Sequence, residues 1–132
     1  CSHYSVFELT EVIIQADARH MLHILSSLRT EGVAPSVILW AVTRELRLLA
    51  RMLRAGGQPD DLRTVLGKQN IPRKRWPAYE KLSRQLRPVH LQTAHRHCLQ
   101  AERSIKGAIK EDPWLHLIDG CLALTGRQPP GA

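Results

Sequence analysis

The sequence predicts an all-α fold, a compact array of about six or seven helices. Three observations carry this. Apolar residues recur at three- and four-residue spacing along most of the chain, the period of a helix face. No segment alternates with period two over the length of a strand. Leu, Ile, Val and Ala dominate an apolar content of 43%, with only 5% aromatic residues, a mix that packs helices well. The length, 132 residues, suits one domain with a real core.

The first helix opens at Ser5, which has the spacing of a capping box with Glu8. Val6, Leu9, Ile13 and Ala16 then share a face. Asp17 is the next N-cap, and Ala18, Met21, Leu22, Leu25 and Leu28 form a second stripe ending at Gly32. So short a link makes these helices antiparallel or orthogonal neighbours. Gly32 to Ser36, with Pro35, is a turn. The longest helix follows, from about Ser36 to Arg54. Ile38, Val42, Leu46, Leu49 and Leu53 line one face, with Trp40, Ala41, Leu48 and Met52 beside it. An apolar arc this wide marks a central helix. Its polar edge carries Arg44, Arg47, Arg51 and Arg54 at three-four-three spacing, so they share one side.

Ala55-Gly56-Gly57-Gln58-Pro59 breaks the chain but is too short to link domains. A short helix over Asp60 to Leu66 turns Leu62, Val65 and Leu66 inward, and Gly67 to Pro72 is loop. Pro77 does not fit a helix interior. The next helix therefore starts beside it and runs to about Leu86, with Tyr79, Leu82 and Leu86 inside. Pro88 opens another, whose stripe is Leu91, Ala94, Cys98, Ala101, Ile105 and Ala108. Asp112-Pro113 is a helix start, Asp accepting from an orphan amide and Pro suiting the first position. The last helix runs to about Thr125 and buries Trp114, Leu117, Ile118, Cys121 and Leu124, with Gly126 as its cap. Residues 1–126 form one domain, and 127–132 are expected to be a flexible tail.

Lys and Arg number 19 against 12 acidic residues, a formal charge of +7. That balance favours acidic partners (nucleic acid, an acidic protein face or an anionic membrane) without choosing among them. Cys1, Cys98 and Cys121 are odd in number and widely spaced, which is neither a disulfide framework nor a zinc pattern. Reduced thiols in a cytoplasmic protein are the expectation. No apolar run approaches the roughly 20 residues of a membrane span, and no signal peptide is visible. Because the first residue is Cys and not Met, a fragment or processed product is expected.

Few residues propose chemistry. His95 and Cys98, and His20 and His23, have helical ligand spacing, but Cys98 lies on an apolar stripe, where free Cys acts as a small hydrophobe. His90, His95 and His97 are therefore expected at the surface. No Ser sits in a strand-turn-helix elbow, and Asp60-Asp61 looks like a helix start. Gly67-Lys68 is followed by Gln69, so the phosphate loop's Gly-Lys-Ser/Thr is missing. No catalytic, cofactor-binding or metal-ligating residue is assigned. Two basic features remain. One is the Arg44, Arg47, Arg51, Arg54 stripe, which either is solvated or meets an acidic neighbour. The other is Arg73-Lys74-Arg75-Trp76. There, either a stacking aromatic and three cations grip nucleic acid, or the Trp packs inward.

Several stretches in order carry a resemblance. They are Ser5-Val-Phe-Glu-Leu9, Leu22-His-Ile-Leu25, Leu28-Arg-Thr-Glu-Gly32 with Pro35, Leu39-Trp-Ala-Val-Thr-Arg-Glu-Leu46, Ser104-Ile-Lys-Gly107 and Asp112-Pro-Trp-Leu115. Together, over about Ser2 to Gly126, they resemble the third, C-terminal domain of the bacterial DNA polymerase III delta subunit. Trp76-Pro77-Ala78-Tyr79 and Thr93 to Cys98 are not hallmarks of that family.

The resemblance implies a helical collar domain. In that family, collar domains of delta, delta-prime and three gamma/tau subunits form a ring that holds together the clamp loader, which places the sliding clamp on primed DNA. Delta binds and opens the clamp through an N-terminal domain. That domain and a small lid domain are not expected among these residues. Delta does not hydrolyse ATP, and nucleotidyl transfer belongs to other subunits of the holoenzyme, so an enzyme is not expected. On this basis Arg44, Arg47, Arg51, Leu115, His116 and Leu122 are candidate contacts with neighbouring collar domains. Arg73, Lys74, Arg75 and Trp76 are candidate DNA contacts. A stand-alone basic helical module for nucleic acid is the alternative.

Overall fold

The structure is a computed structural model and describes residues 4–127. Among the described residues there are seven α-helices and no strand: α1 (Val6–Ile14), α2 (Ala18–Thr30), α3 (Pro35–Arg54), α4 (Pro59–Lys68), α5 (Trp76–Gln85), α6 (Pro88–Ile105) and α7 (Pro113–Leu124). A 3₁₀ turn over Arg73–Arg75 leads into α5.

Local chemistry sets the helix ends. Ser5 Oγ accepts from the Glu8 amide at 3.3 Å, an Asp17 carboxylate oxygen from the His20 amide at 3.2 Å, and an Asp112 carboxylate oxygen from the Trp114 amide at 3.0 Å. Pro35, Pro59, Pro77, Pro88 and Pro113 each stand at the first or second position of their helix, where the missing N–H forfeits no helical bond. Five helices stop in one way. A residue turns left-handed, and the next amide reaches back to the last turn, as from Asp17 to the Val12 carbonyl at 3.1 Å and from Ala108 to Arg103 at 2.9 Å. Gly107 (φ 78°) occupies such a site at no steric cost; Ala16 and Asn70 (both φ 57°) do so against preference.

α3 is central, touching α1, α4, α5, α6 and α7. Ile38, Val42, Leu49 and Met52 are fully buried on it, each worth roughly 1.5–3 kcal/mol. α6 and α7 form the most extensive pairing, and α2 bridges α1 and α7. Tyr79, Leu82 and Leu86 close the core from α5 and its end.

Several expectations need correction. Leu22 is exposed and Ile24 is buried instead, because α2 meets α1 and α7 through Met21, Ile24, Leu25 and Leu28. Trp40 is 62% exposed. The stripe of α6 loses Ile105 and Ala108, since the helix ends at Ile105 and both are exposed. Arg127 is tied to α7 by its amide, 3.1 Å from the Leu122 carbonyl; the remaining expected tail residues, and Cys1, lie outside the described residues.

Candidate functional site

Arg44, Arg47, Arg51 and Arg54 all project from the exposed side of α3, and they straddle two grooves. One, about 600 Å³, lies between α3 and α6 and includes Arg47 and Arg54. The other, about 470 Å³, lies between α3 and the segment before α5 and includes Arg44, Arg47 and Arg51. Arg47 is the ridge between them. The Arg44 guanidinium stacks over Trp40, 5.1 Å from the ring centre, and its Nε is 3.8 Å from Glu45. Among the described residues, Arg47, Arg51 and Arg54 have no carboxylate partner.

The structure divides the basic cluster. Arg73 and Lys74 are exposed. Trp76 faces inward: its Nε1 donates to the Ile71 carbonyl at 2.8 Å, its ring lies beside Gly67, and Arg73 stacks on it at 5.2 Å. The indole is committed to the fold rather than held out for a base. Arg75 leaves the cluster and enters the second groove beside Arg44, Arg47 and Arg51. Its Nε lies 2.8 Å from a Glu11 carboxylate oxygen as an ion pair, and among the described residues its buried Nε and Nη2 make no well-aligned hydrogen bond. Two features read separately from the sequence thus share one groove.

Behind that groove, the Tyr79 hydroxyl donates to the buried Glu45 carboxylate. Burial pushes the Glu45 carboxyl above its ordinary value, while the Tyr79 hydrogen bond and then Arg75 and Arg44 oppose the shift. Burial likewise raises the Tyr79 phenol, reinforced by Glu45. Sequence analysis missed this pair. A signal existed: Glu45 is seven residues after Ile38 and four before Leu49, on the buried arc.

The residues of the second candidate patch differ in exposure. Leu115 is 58% exposed, but Leu122 is half-buried against the core. His116 packs on His97, Nδ1 to Nδ1 at 3.0 Å, with its Nε2 2.6 Å from Glu111. Neither groove beside α3 includes Leu115, His116 or Leu122. The three clustered histidines diverge. His90 Nδ1 accepts from the Arg87 amide at 3.0 Å at the start of α6, His95 lines the α3–α6 groove, and His97 faces α7 instead of solvent. Among the described residues, no three His, Cys, Asp or Glu side chains are placed to hold a metal. Cys98 and Cys121 are buried, and burial lifts the Cys98 thiol to about 11 and the Cys121 thiol further.

The candidate surface is thus α3, with a groove on either side and, among the described residues, three arginines without a carboxylate partner, in an all-helical domain. The chain belongs to the family described as the processivity clamp loader gamma complex DNA polymerase III C-terminal domain, which matches residues 6–130. A curated relative, DNA polymerase III subunit delta of Escherichia coli (strain K12), is 25% identical over 128 residues, which cover 97% of this chain and 37% of the relative. The chain thus spans little more than a third of that relative's length. Among the described residues, no helix is long and apolar enough to cross a membrane.

Proposed function

We propose that this chain is the subunit-assembly, or collar, domain of a clamp-loader delta subunit. It helps hold the loader together through neighbouring gamma/tau and delta-prime collar domains, and it performs no catalysis of its own. The family match over residues 6–130 carries this reading. The geometry is compatible with it. A ring protomer needs rigid helices with different surfaces toward its two neighbours, and the α3 arginines and Leu115 on α7 occupy separate surfaces. Among the described residues, three of those arginines lack a carboxylate partner, so an acidic neighbour would supply them. Contact with the sliding clamp would belong to a separate N-terminal domain.

The test is size-exclusion chromatography with light scattering, on the chain alone and mixed with the gamma/tau and delta-prime subunits at physiological salt. A mixed complex of defined stoichiometry is expected, weakened by the triple charge reversal Arg44→Glu, Arg47→Glu and Arg51→Glu. A second reading, direct nucleic-acid binding, gains from the entry of Arg75 into the α3 groove. It requires DNA affinity that falls steeply with salt and no dependence on protein partners.

A further inference from the structure

We propose that the groove between α3 and α6 is the seat of one amphipathic helix, flanked by acidic residues, from a neighbouring clamp-loader subunit. This rests on the assembly reading and adds to it the place and chemistry of the contact.

The groove has the form of a missing helix. Its wall on α3 is Leu39, Leu46 and Leu53, each seven residues from the next; its wall on α6 includes Leu91 and Cys98, also seven apart. Seven-residue recurrence on two adjacent helices makes a straight apolar seam for a third. The lining on α3 runs from Leu39 to Arg54, about 22 Å at 1.5 Å per residue, or four turns of an incoming helix. The seam is unfinished within the chain: Leu39, Leu53 and Leu91 are only half-buried, and Leu99 at the lip is 49% exposed. At the floor, Thr43 of α3 and Cys98 of α6 both line the groove.

Charge selects the occupant. Arg47 and Arg54 stand on the α3 rim without carboxylate partners among the described residues, and His95 stands on the α6 side. The groove's one acidic residue, Glu102, is engaged by Lys106 at 3.3 Å. An apolar helix face fills such a groove, and acids flanking that face meet the arginines. Nucleic acid would leave the leucine walls uncovered.

The experiment titrates the full delta subunit containing this chain with gamma/tau and delta-prime subunits, reading the complex by light scattering. Leu99→Glu places a charge on the lip, and Arg47→Glu with Arg54→Glu reverses the rim. Each is expected to weaken assembly by about tenfold or more, with unchanged far-UV circular dichroism and melting. Leu22→Glu, exposed on α2 and in neither groove, is the comparison. Should Leu99→Glu lower the melting temperature, Leu99→Gln replaces it. Assembly within about twofold of the parent for the Leu99 variants overturns the groove proposal while leaving the assembly reading intact. Failure of the parent to bind these subunits overturns both. Loss of DNA affinity with assembly unchanged also overturns the proposal.

Discussion

The Tyr79 hydroxyl on α5 and the Glu45 carboxylate on α3, 34 residues apart in sequence, form a hydrogen bond in the core. Glu45 is 1% exposed, and Tyr79 is fully buried. A carboxylate so placed depends on its partners, because water cannot replace them.

Tyr79→Phe should therefore destabilise the domain by about 1–3 kcal/mol, the range for leaving a buried polar group without its partner. Urea denaturation at pH 7 checks this. A loss well under that range would mean that Arg75 and Arg44 suffice for Glu45.

The same pair sets a pH dependence. Burial raises the Glu45 carboxyl above the ordinary 4.5, so the folded state holds this proton more tightly than the unfolded one. Its contribution to stability is full below 4.5 and is lost as pH rises through the raised value. Glu45→Gln should flatten that decline, seen in urea midpoints measured from about pH 4 upward. An unchanged profile would place the titration elsewhere.

His97 should act in the opposite direction. Burial lowers its imidazole below 6.5; Asp119 opposes the shift, and His116 and Arg96 add to it. Stability from this group is present above 6.5 and is lost as pH falls through the lowered value. Melting temperatures on the acid side of neutrality should drop less in His97→Gln than in the parent. An equal drop would remove His97 from the acid response.

Ala16 ends α1 at a φ of 57°, where an L side chain is disfavoured. Ala16→Gly should stabilise the domain by about 0.5–1 kcal/mol, net of glycine's greater freedom when unfolded. Gly107→Ala, at φ 78° just past the end of α6, should cost about as much. Thermal melts of the two variants should move in opposite directions.

Cys98 and Cys121 should be nearly inert to thiol reagents in the folded chain. Both are buried, and the Cys98 thiol is lifted to about 11, far from the thiolate form that reacts. In a Cys1→Ser background, a disulfide reagent at mildly alkaline pH should show no fast phase. A fast phase would mean that the α3–α6 groove opens to the floor.

Much of the fold was legible because its signals are local. Ser5, Asp17 and Asp112 cap their helices through bonds to amides two or three residues away. Five prolines stand at helix starts, and Gly126 ends α7. Spacing identified Leu9, Ile13, Met21, Leu49, Leu82 and Leu117 as core. Where spacing failed, the neighbour had decided. Leu22 and Ile24 both lie near the apolar face of α2, and only the direction of α1 and α7 buries one and exposes the other.

By itself the sequence determined about six or seven helices, most of their starts, the central place of α3 and the shared side of its four arginines, because capping and periodicity act within a few residues. The tertiary structure alone decided which groups meet. It joined Arg75 to the α3 arginines, turned Trp76 inward, set His97 on His116, paired Glu45 with Tyr79 and left a leucine-walled groove beside α6. These contacts join residues far apart along the chain, and their partners are chosen by how rigid helices pack, which no short window of sequence contains.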